Sequence, residues 1–407
     1  MAKIIPFHAV RPTRENASLV TARSYDDYSP AELAAQIEFN PLSFLHVLNP
    51  AYQDPQRLSM ERRFRSVHQK YQEFKEEGIL VQDQKPAFYI HRLNTKKAQY
   101  TGIIVATSID DYKNDVIKKH EDTLEYRVET FKNYIKYAGF NTEPVLMTYP
   151  DNPDFEKWLS ARTETGADLE FSTTKRHTHY LWKIDNDEDV KYIQDTFAAI
   201  PQLYIADGHH RSASAELLYD ETCNGAECGA KEYFMSFLIS DSNVRIYEYN
   251  RLIKDLNNLS KEAFLLKISQ HFDLKLIGPE MCHPSQKHEF TMYLQDECYL
   301  LSLKKQKHKF ETALDSLDAQ LLYSNILAPI LGITDLRNDE RIEYKSGKHS
   351  LIELKEKVDD GEFEIAFVLH PSNINEIKAI ADANLVMPPK STYIEPKFRS
   401  GLVVYEL

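Results

Sequence analysis

The sequence predicts a mixed α/β fold, with helices and mixed β-sheet in the same domains, and three observations carry that expectation. Apolar runs of about four to eight residues that suit strands alternate with longer segments of helical period. The chain has 407 residues, 42% of them hydrophobic, which is enough for a substantial core and more than one domain. Neither a repeat of solenoid length nor a long low-complexity linker interrupts the pattern.

Residues 1–84 read as an initial strand followed mainly by helix. PAELAAQIEFN opens a helix after Ser29, and 55–78 spaces Leu, Phe and Tyr among charged residues. Residues 85–254 read as the core domain. PAFYIHRLNT and QYTGIIVATSI are two strands about the polar turn NTKKA, and 108–136 is a loop followed by a helix. HTHYLWKI, 201–206, EYFMSFLI and VRIYEYNRLI are further strands, expected to complete a sheet around the DGHHR turn. Residues 255–407 read as a C-terminal α/β domain. Its helices are SKEAFLLKISQHF, HSLIELKEKVDD and INEIKAIADAN; TMYLQDECYLLSL, FEIAFVLHP and the terminal LVVYEL are strand material.

A net charge of −13 argues against broad contact with nucleic acid, which needs a basic surface to release counterions. A small anionic ligand in one locally basic pocket remains compatible with it, because fields are screened beyond roughly 10 Å. MAKIIPFHAVRPTREN has no apolar leader core, and no stretch approaches the roughly 20 apolar residues that span a bilayer, so a cytoplasmic location without membrane contact is expected. Cys223, Cys228, Cys282 and Cys298 show no dense paired framework and fit a reduced compartment. Zinc at Cys223 and Cys228 lacks a second Cys/His pair.

The most informative stretch is 203–215, LYIADGHHRSASA. An apolar strand ends in Asp207 and Gly208, two histidines and Arg211 follow, and a helix of small residues begins at once. Helix-start N–H groups carry partial positive charge, glycine permits the tight turn, and arginine offers a planar fork to oxyanions. Asp207 alone reads as an N-cap, Gly208 as a turn residue and Arg211 as a surface ion-pair partner; adjacent His209 and His210 make filler a poorer account of the whole. A second cluster, Lys118-Lys119-His120-Glu121-Asp122-Thr123, mixes cations with carboxylates suited to phosphate neutralisation, acid/base work or Mg²⁺, although charge runs at helix starts are usually solvated faces. A third, Met387-Pro388-Pro389-Lys390-Ser391-Thr392-Tyr393 with Lys397 and Gly401, stiffens a loop that displays donors, or simply packs Tyr393 on the core. Glu15, Tyr25, Asp26 and His179 are scattered candidates for holding a substrate. G-x-S-x-G, G-x-G-x-x-G and G-x-x-x-x-G-K-[ST] are all missing, which speaks against α/β-hydrolase, dinucleotide and P-loop chemistry.

IIPFHAVRP, SYDDYSP, NPLSFLHV, KKHEDT, HYLWKI, YIADGHHRSASA and MPPKSTYIEPKFRSGLV, in that order, resemble the bacterial domain-of-unknown-function family 1015 over nearly the whole chain. Its members are often labelled ParB-like, and the DGHHR turn resembles the phosphate-binding turn of ParB, sulfiredoxin and free-serine kinases. The resemblance implies a ParB/sulfiredoxin-like core with an additional C-terminal α/β domain whose MPPKST loop returns to the site. It implies a phosphotransferase acting between ADP, ATP or pyrophosphate and a small hydroxyl substrate, with free serine or phosphoserine as the amino-acid-like candidate. Gly208, His210, Arg211, Lys119, Lys390, Ser391, Thr392 and Lys397 would bind phosphate. Asp207, His209, Glu121 and His120 would be catalytic, and Asp207 and Glu121 would hold Mg²⁺. The chain departs from the family pattern at Arg23-Ser24, where prolines are usual, and at Ser212, where an aromatic residue is common. A nucleotide-binding regulator and a metal-dependent phosphohydrolase are the rival readings, and a homodimer is compatible with all three.

Overall fold

The hairpin expected near Phe88 lies at the centre of a nine-stranded sheet. Its turn is closed by Thr95, whose N–H donates to the Ala98 carbonyl at 2.8 Å and whose hydroxyl accepts from the Lys97 and Ala98 N–H groups. The computed structural model describes residues 1–50, 59–223 and 226–407. They divide into two units: Met1–Lys118, Thr123–Val244 and Pro396–Leu407 form the first, and Lys119–Asp122 with Arg245–Glu395 the second. The first therefore takes in the N-terminal segment 1–84 and the last twelve residues.

The strands of the first sheet are β1 (Ile4–Ile5), β2 (Phe88–Asn94), β3 (Gln99–Ser108), β4 (Ile117–Lys118), β5 (Val145–Tyr149), β6 (Leu169–Ser172), β7 (Thr178–Ile184), β8 (Leu203–Asp207) and β9 (Tyr233–Ser240). Their order is β4-β8-β5-β9-β3-β2-β7-β6, with β1 on the end of β3. The pairs β4/β8 and β5/β9 are parallel and the others antiparallel. One face carries Ile90, Ile103, Val105, Met147, Ile205 and Leu238 into an apolar core with Phe155, Leu159, Ile193 and Phe197. Those last four come from two helices, Pro153–Arg162 and Asp187–Ala198, capped by Asn152 and Asn186. The helix expected after Ser29 spans Pro30–Phe39, and Ser29 and Glu32 form a capping box. The helix expected over 55–78 is present as Met60–Glu76; residues 55–58 of that expectation lie outside the described residues. The terminal LVVYEL contributes only Tyr405–Glu406 as strand, paired with Phe140–Asn141.

The second unit is built on a seven-stranded antiparallel sheet. Its strands are β10 (Arg245–Ile253), β11 (Phe272–Gly278), β12 (Glu289–Leu294), β13 (Glu297–Leu303), β14 (Ile342–Ser346), β15 (Ile365–Leu369) and β16 (Thr392–Glu395). TMYLQDECYLLSL is a hairpin, β12 and β13, turned by Gln295 and Asp296 at φ +47° and +61°, the left-handed pair that matches strand twist.

Two expectations need correction. VRIYEYNRLI is β10 and pairs with β14, β15 and β16 in the second sheet, so it does not complete the sheet around DGHHR. Cys223 and Cys228 are not reduced thiols: they form a disulfide with a Cα–Cα distance of 5.7 Å, while Cys282 and Cys298 are free. Among the described residues no helix is long and apolar enough to cross a membrane.

Candidate functional site

Asp207 reaches the site through an irregularity in its strand. Ile205 of β8 faces Met147 of β5 and Asp207 faces Leu146, so Ala206 is one residue too many. Residues two apart on a regular strand share a face, and without the bulge Asp207 would point with Ile205 into the apolar core. The bulge turns it to the opposite face, in a row with Leu146, Phe237, Ile104 and Tyr89 across β5, β9, β3 and β2.

The chain then reverses at Gly208, φ +104°, and α1 (His209–Cys223) begins. The N–H groups of Arg211 and Ser212 donate to the Gly208 carbonyl at 2.9 and 3.1 Å. Glycine brings no capping oxygen, so the helix start keeps its positive end for an anion. Arg211 folds back over this turn. Its Nη2 donates to Asp207 Oδ2 at 2.7 Å, its Nη1 donates to the Pro144 carbonyl, and Glu143 lies 4.0 Å away.

Lys397, 190 positions away in sequence, donates to Asp207 Oδ1 at 2.7 Å. Burial alone would raise the Asp207 pKa, but Lys397 and Arg211 outweigh it and hold the carboxyl well below the usual range. Asp207 is thus a weak base with a cation on each oxygen. It anchors the two cations.

The segment that brings Lys397 is pinned along its length. Phe398 packs on Phe237 at 5.0 Å between ring centroids, and Ser400 exchanges backbone hydrogen bonds with Ala22. Arg399 donates to the Thr21 hydroxyl at 2.9 Å and to the Thr21 carbonyl; burial pushes its pKa down to about 10. The Ser400 hydroxyl donates to Glu143 at 2.6 Å, so the loop before β5, the turn after β8 and the C-terminal segment converge on Asp207 and Glu143.

His210 Nε2 accepts from the Leu124 N–H at 3.1 Å, which puts the ring proton on Nδ1 and ties the turn to the start of helix Glu125–Ala138. His209 is buried, and its carbonyl accepts from Ser212 Oγ at 3.0 Å. His179 is buried on β7, 3.1 Å from His91 of β2 and stacked on Phe171. Burial pushes His91 down to about 4 and His179 well below its ordinary value, so both rings are neutral.

Of the residues singled out from sequence, Asp207, Gly208, His209, His210, Arg211 and Lys397 meet in the first unit. Glu15 is an exposed turn residue, and Tyr25 lies in a short helical turn where its hydroxyl accepts from Asn49. The Asp26 side chain is outside the described residues. Lys119, His120, Glu121, Lys390, Ser391 and Thr392 belong to the second unit. There the Met387 N–H donates to the His120 carbonyl at 2.9 Å, and Ser391 Oγ donates to the Pro388 carbonyl at 2.6 Å. Lys390 Nζ sits over the Tyr249 ring, 5.4 Å from its centroid. Glu143, Arg399 and Ser400 are site neighbours that residue patterns do not single out, and His91 is a partner of His179 that they likewise miss. Arg399 and Ser400 lie inside the KFRSG stretch that carries the family resemblance, and that position is their signal.

Among the described residues no group of three or more His, Cys, Asp or Glu side chains is placed to hold a metal ion. Asp207 fits Mg²⁺ poorly, because an octahedral ion would have to displace Lys397 or Arg211 from the carboxylate.

The model of the family described as protein of unknown function (DUF1015) matches residues 4–320. No curated protein matches the chain. Solved structures with similarity include C-terminally truncated SbnI from Staphylococcus aureus, at 12% identity and a TM-score of 0.38 over 72% of this chain and 82% of that one. A conserved hypothetical protein from Pyrococcus furiosus gives 13% and 0.36 over 73% and 91%. A free serine kinase in complex with AMP gives 16% and 0.35 over 75% and 91%.

Proposed function

The chain belongs to the DUF1015 family, and we propose that it is a phosphotransferase that binds a nucleotide or pyrophosphate at the DGHHR turn and moves a phosphoryl group to or from a small hydroxyl substrate. The observation that carries this reading is the pair of cations, Arg211 and Lys397, held 2.7 Å from one carboxylate beside a glycine-capped helix start. Phosphoryl transfer asks for positioned oxygens and neutralised charge more than for covalent help. Arg211 and Lys397 supply the positive charge that holds the phosphate oxygens, and Asp207 keeps both side chains oriented. The ParB/sulfiredoxin-like relation suggested by the turn, and serine as the acceptor, belong to this proposal.

Asp207 is unsuited to take a proton, and Glu143, the carboxylate beside Arg211, serves as the base. Its carboxylate is part-exposed, held by Ser400 and next to Arg211. In the forward step the substrate oxygen bonds to phosphorus, its proton passes to Glu143, and the bond from phosphorus to the leaving phosphate oxygen breaks. A second reading, a nucleotide-binding regulator, is favoured by the same saturation of Asp207: the turn is complete as a binding element without a base.

Phosphorus NMR of the protein with Mg²⁺, serine and ADP, ATP or pyrophosphate separates the two. Phosphoserine should appear, Arg211→Ala should lose nucleotide binding by tenfold or more, and Glu143→Gln should keep binding and lose turnover. Tight binding with no new phosphorus species under any donor supports the regulator. Unchanged binding in Arg211→Ala removes the turn from either reading.

A further inference from the structure

The second unit contains a cavity of about 360 Å³, a volume in the range of small-molecule sites. All of its lining residues belong to that unit. One wall is Val386, Met387, Pro388 and Pro389, an apolar and conformationally stiff stretch; Tyr323 and Arg337 lie in the remaining lining.

Arg337 is the cation of this lining. Its Nη2 lies 3.2 Å from Asp122 Oδ2, and the Asp122 side chain is 59% exposed. An ion pair so exposed contributes little and exchanges readily. Asp335 also lines the cavity, but its oxygens accept from the Arg337 N–H, the Asn338 N–H and the Asn338 side-chain amide at 2.8–3.2 Å, so that carboxylate is spent on its own turn. It still places one negative charge near the rim, which disfavours a dianion.

A second positive charge adjoins the same wall. Arg251 is buried, its Nη1 and Nη2 donate to the carbonyls of Tyr249 and Lys390 rather than to a carboxylate, and its Nε has no hydrogen-bond partner among the described residues. Lys390 follows directly on Pro389 of the cavity wall. Glu248 favours the charged form of this buried guanidinium electrostatically without being hydrogen-bonded to it.

We propose that this cavity binds a small monocarboxylate with an apolar body, its carboxylate on Arg337 in place of Asp122 and its body against Met387, Pro388 and Pro389. The site is independent of the DGHHR turn and of the phosphotransferase reading.

Phenylacetate is the probe, with 2-phenylethanol as its uncharged analogue and inorganic phosphate as an anion without a body, each titrated into the full chain by NMR or calorimetry. Phenylacetate should bind, and the alcohol and phosphate should bind at least about tenfold more weakly. Arg337→Ala should weaken phenylacetate about tenfold, Arg337→Lys less, and Asp122→Asn should tighten it severalfold by releasing Arg337. Arg211→Ala should leave it unchanged, which distinguishes failure here from failure at the DGHHR turn. Equal binding of the alcohol, no effect of Arg337→Ala, or loss of binding in Arg211→Ala would each overturn the proposal.

Discussion

A methyl group at position 208 would stand 3.0–3.1 Å from the Arg211 guanidinium, on a backbone whose φ of +104° non-glycine residues rarely adopt. Gly208→Ala is therefore expected to cost about 1–2 kcal/mol of stability and to push Arg211 off Asp207. Thermal melting measures the first effect and nucleotide titration the second; a variant that melts as the parent does and binds as tightly would show that Arg211 does not need the bare turn. That a strand meets a helix through a tight turn at Gly208 was legible in the residues themselves, since an apolar run ending in Asp-Gly before a small-residue helix has that form. What residue types could not show is that Arg211 and Lys397 are both engaged by Asp207, or that Glu143 stands beside them, because those pairings depend on tertiary contacts between distant segments. The bulge at Ala206 was equally hidden: YIAD reads as four consecutive strand residues, and only the partner strand reveals the extra one.

Helix α1 carries the turn at one end and the Cys223–Cys228 bridge at the other. A bridge spanning five positions closes a short loop, worth up to about 2 kcal/mol through the entropy removed from the unfolded chain. Thiol titration of the denatured, unreduced protein should find two reactive cysteines of the four. Cys223→Ser should lower the melting temperature of oxidised protein and leave reduced protein unaffected; four reactive thiols in unreduced protein would remove the bridge from the account. Strand and helix periodicity placed most elements well, from Pro30–Phe39 to Ile374–Asp382. It could not say which sheet a strand joins. EYFMSFLI and VRIYEYNRLI are separated by the short turn Asp241–Asn243 and look like neighbours, yet they enter different sheets, because pairing partners are chosen by packing and not by the strand's own alternation.

At the scale of the whole chain, the two units carry buried titratable groups of opposite sign. In the first, burial holds His91 at about 4 and His179 well below its ordinary value, so the unfolded chain takes up protons below about pH 6.5 that the folded pair refuses. Stability from this pair is complete above pH 6.5 and is lost as the pH falls toward 4, His91 alone contributing on the order of 3 kcal/mol. In the second, burial raises Asp318 to about 7, against a smaller opposing effect of its hydrogen bond from the His288 N–H. Between about pH 4 and 7 the folded state keeps a proton that the unfolded chain has released, so this contribution declines as the pH rises and is gone above 7. Acidification from pH 7 to 5 is thus expected to loosen the first unit and tighten the second. Hydrogen exchange read by mass spectrometry, corrected for the intrinsic pH dependence of amide exchange, resolves the two. Peptides from β2, β3 and β7 should lose protection at pH 5, and those from β12, β13 and β15 should gain it. Asp318→Asn should remove the gain and leave the loss. Protection that moves in the same direction in both units would mean that a group shared by the whole chain, rather than these buried residues, governs its response to pH.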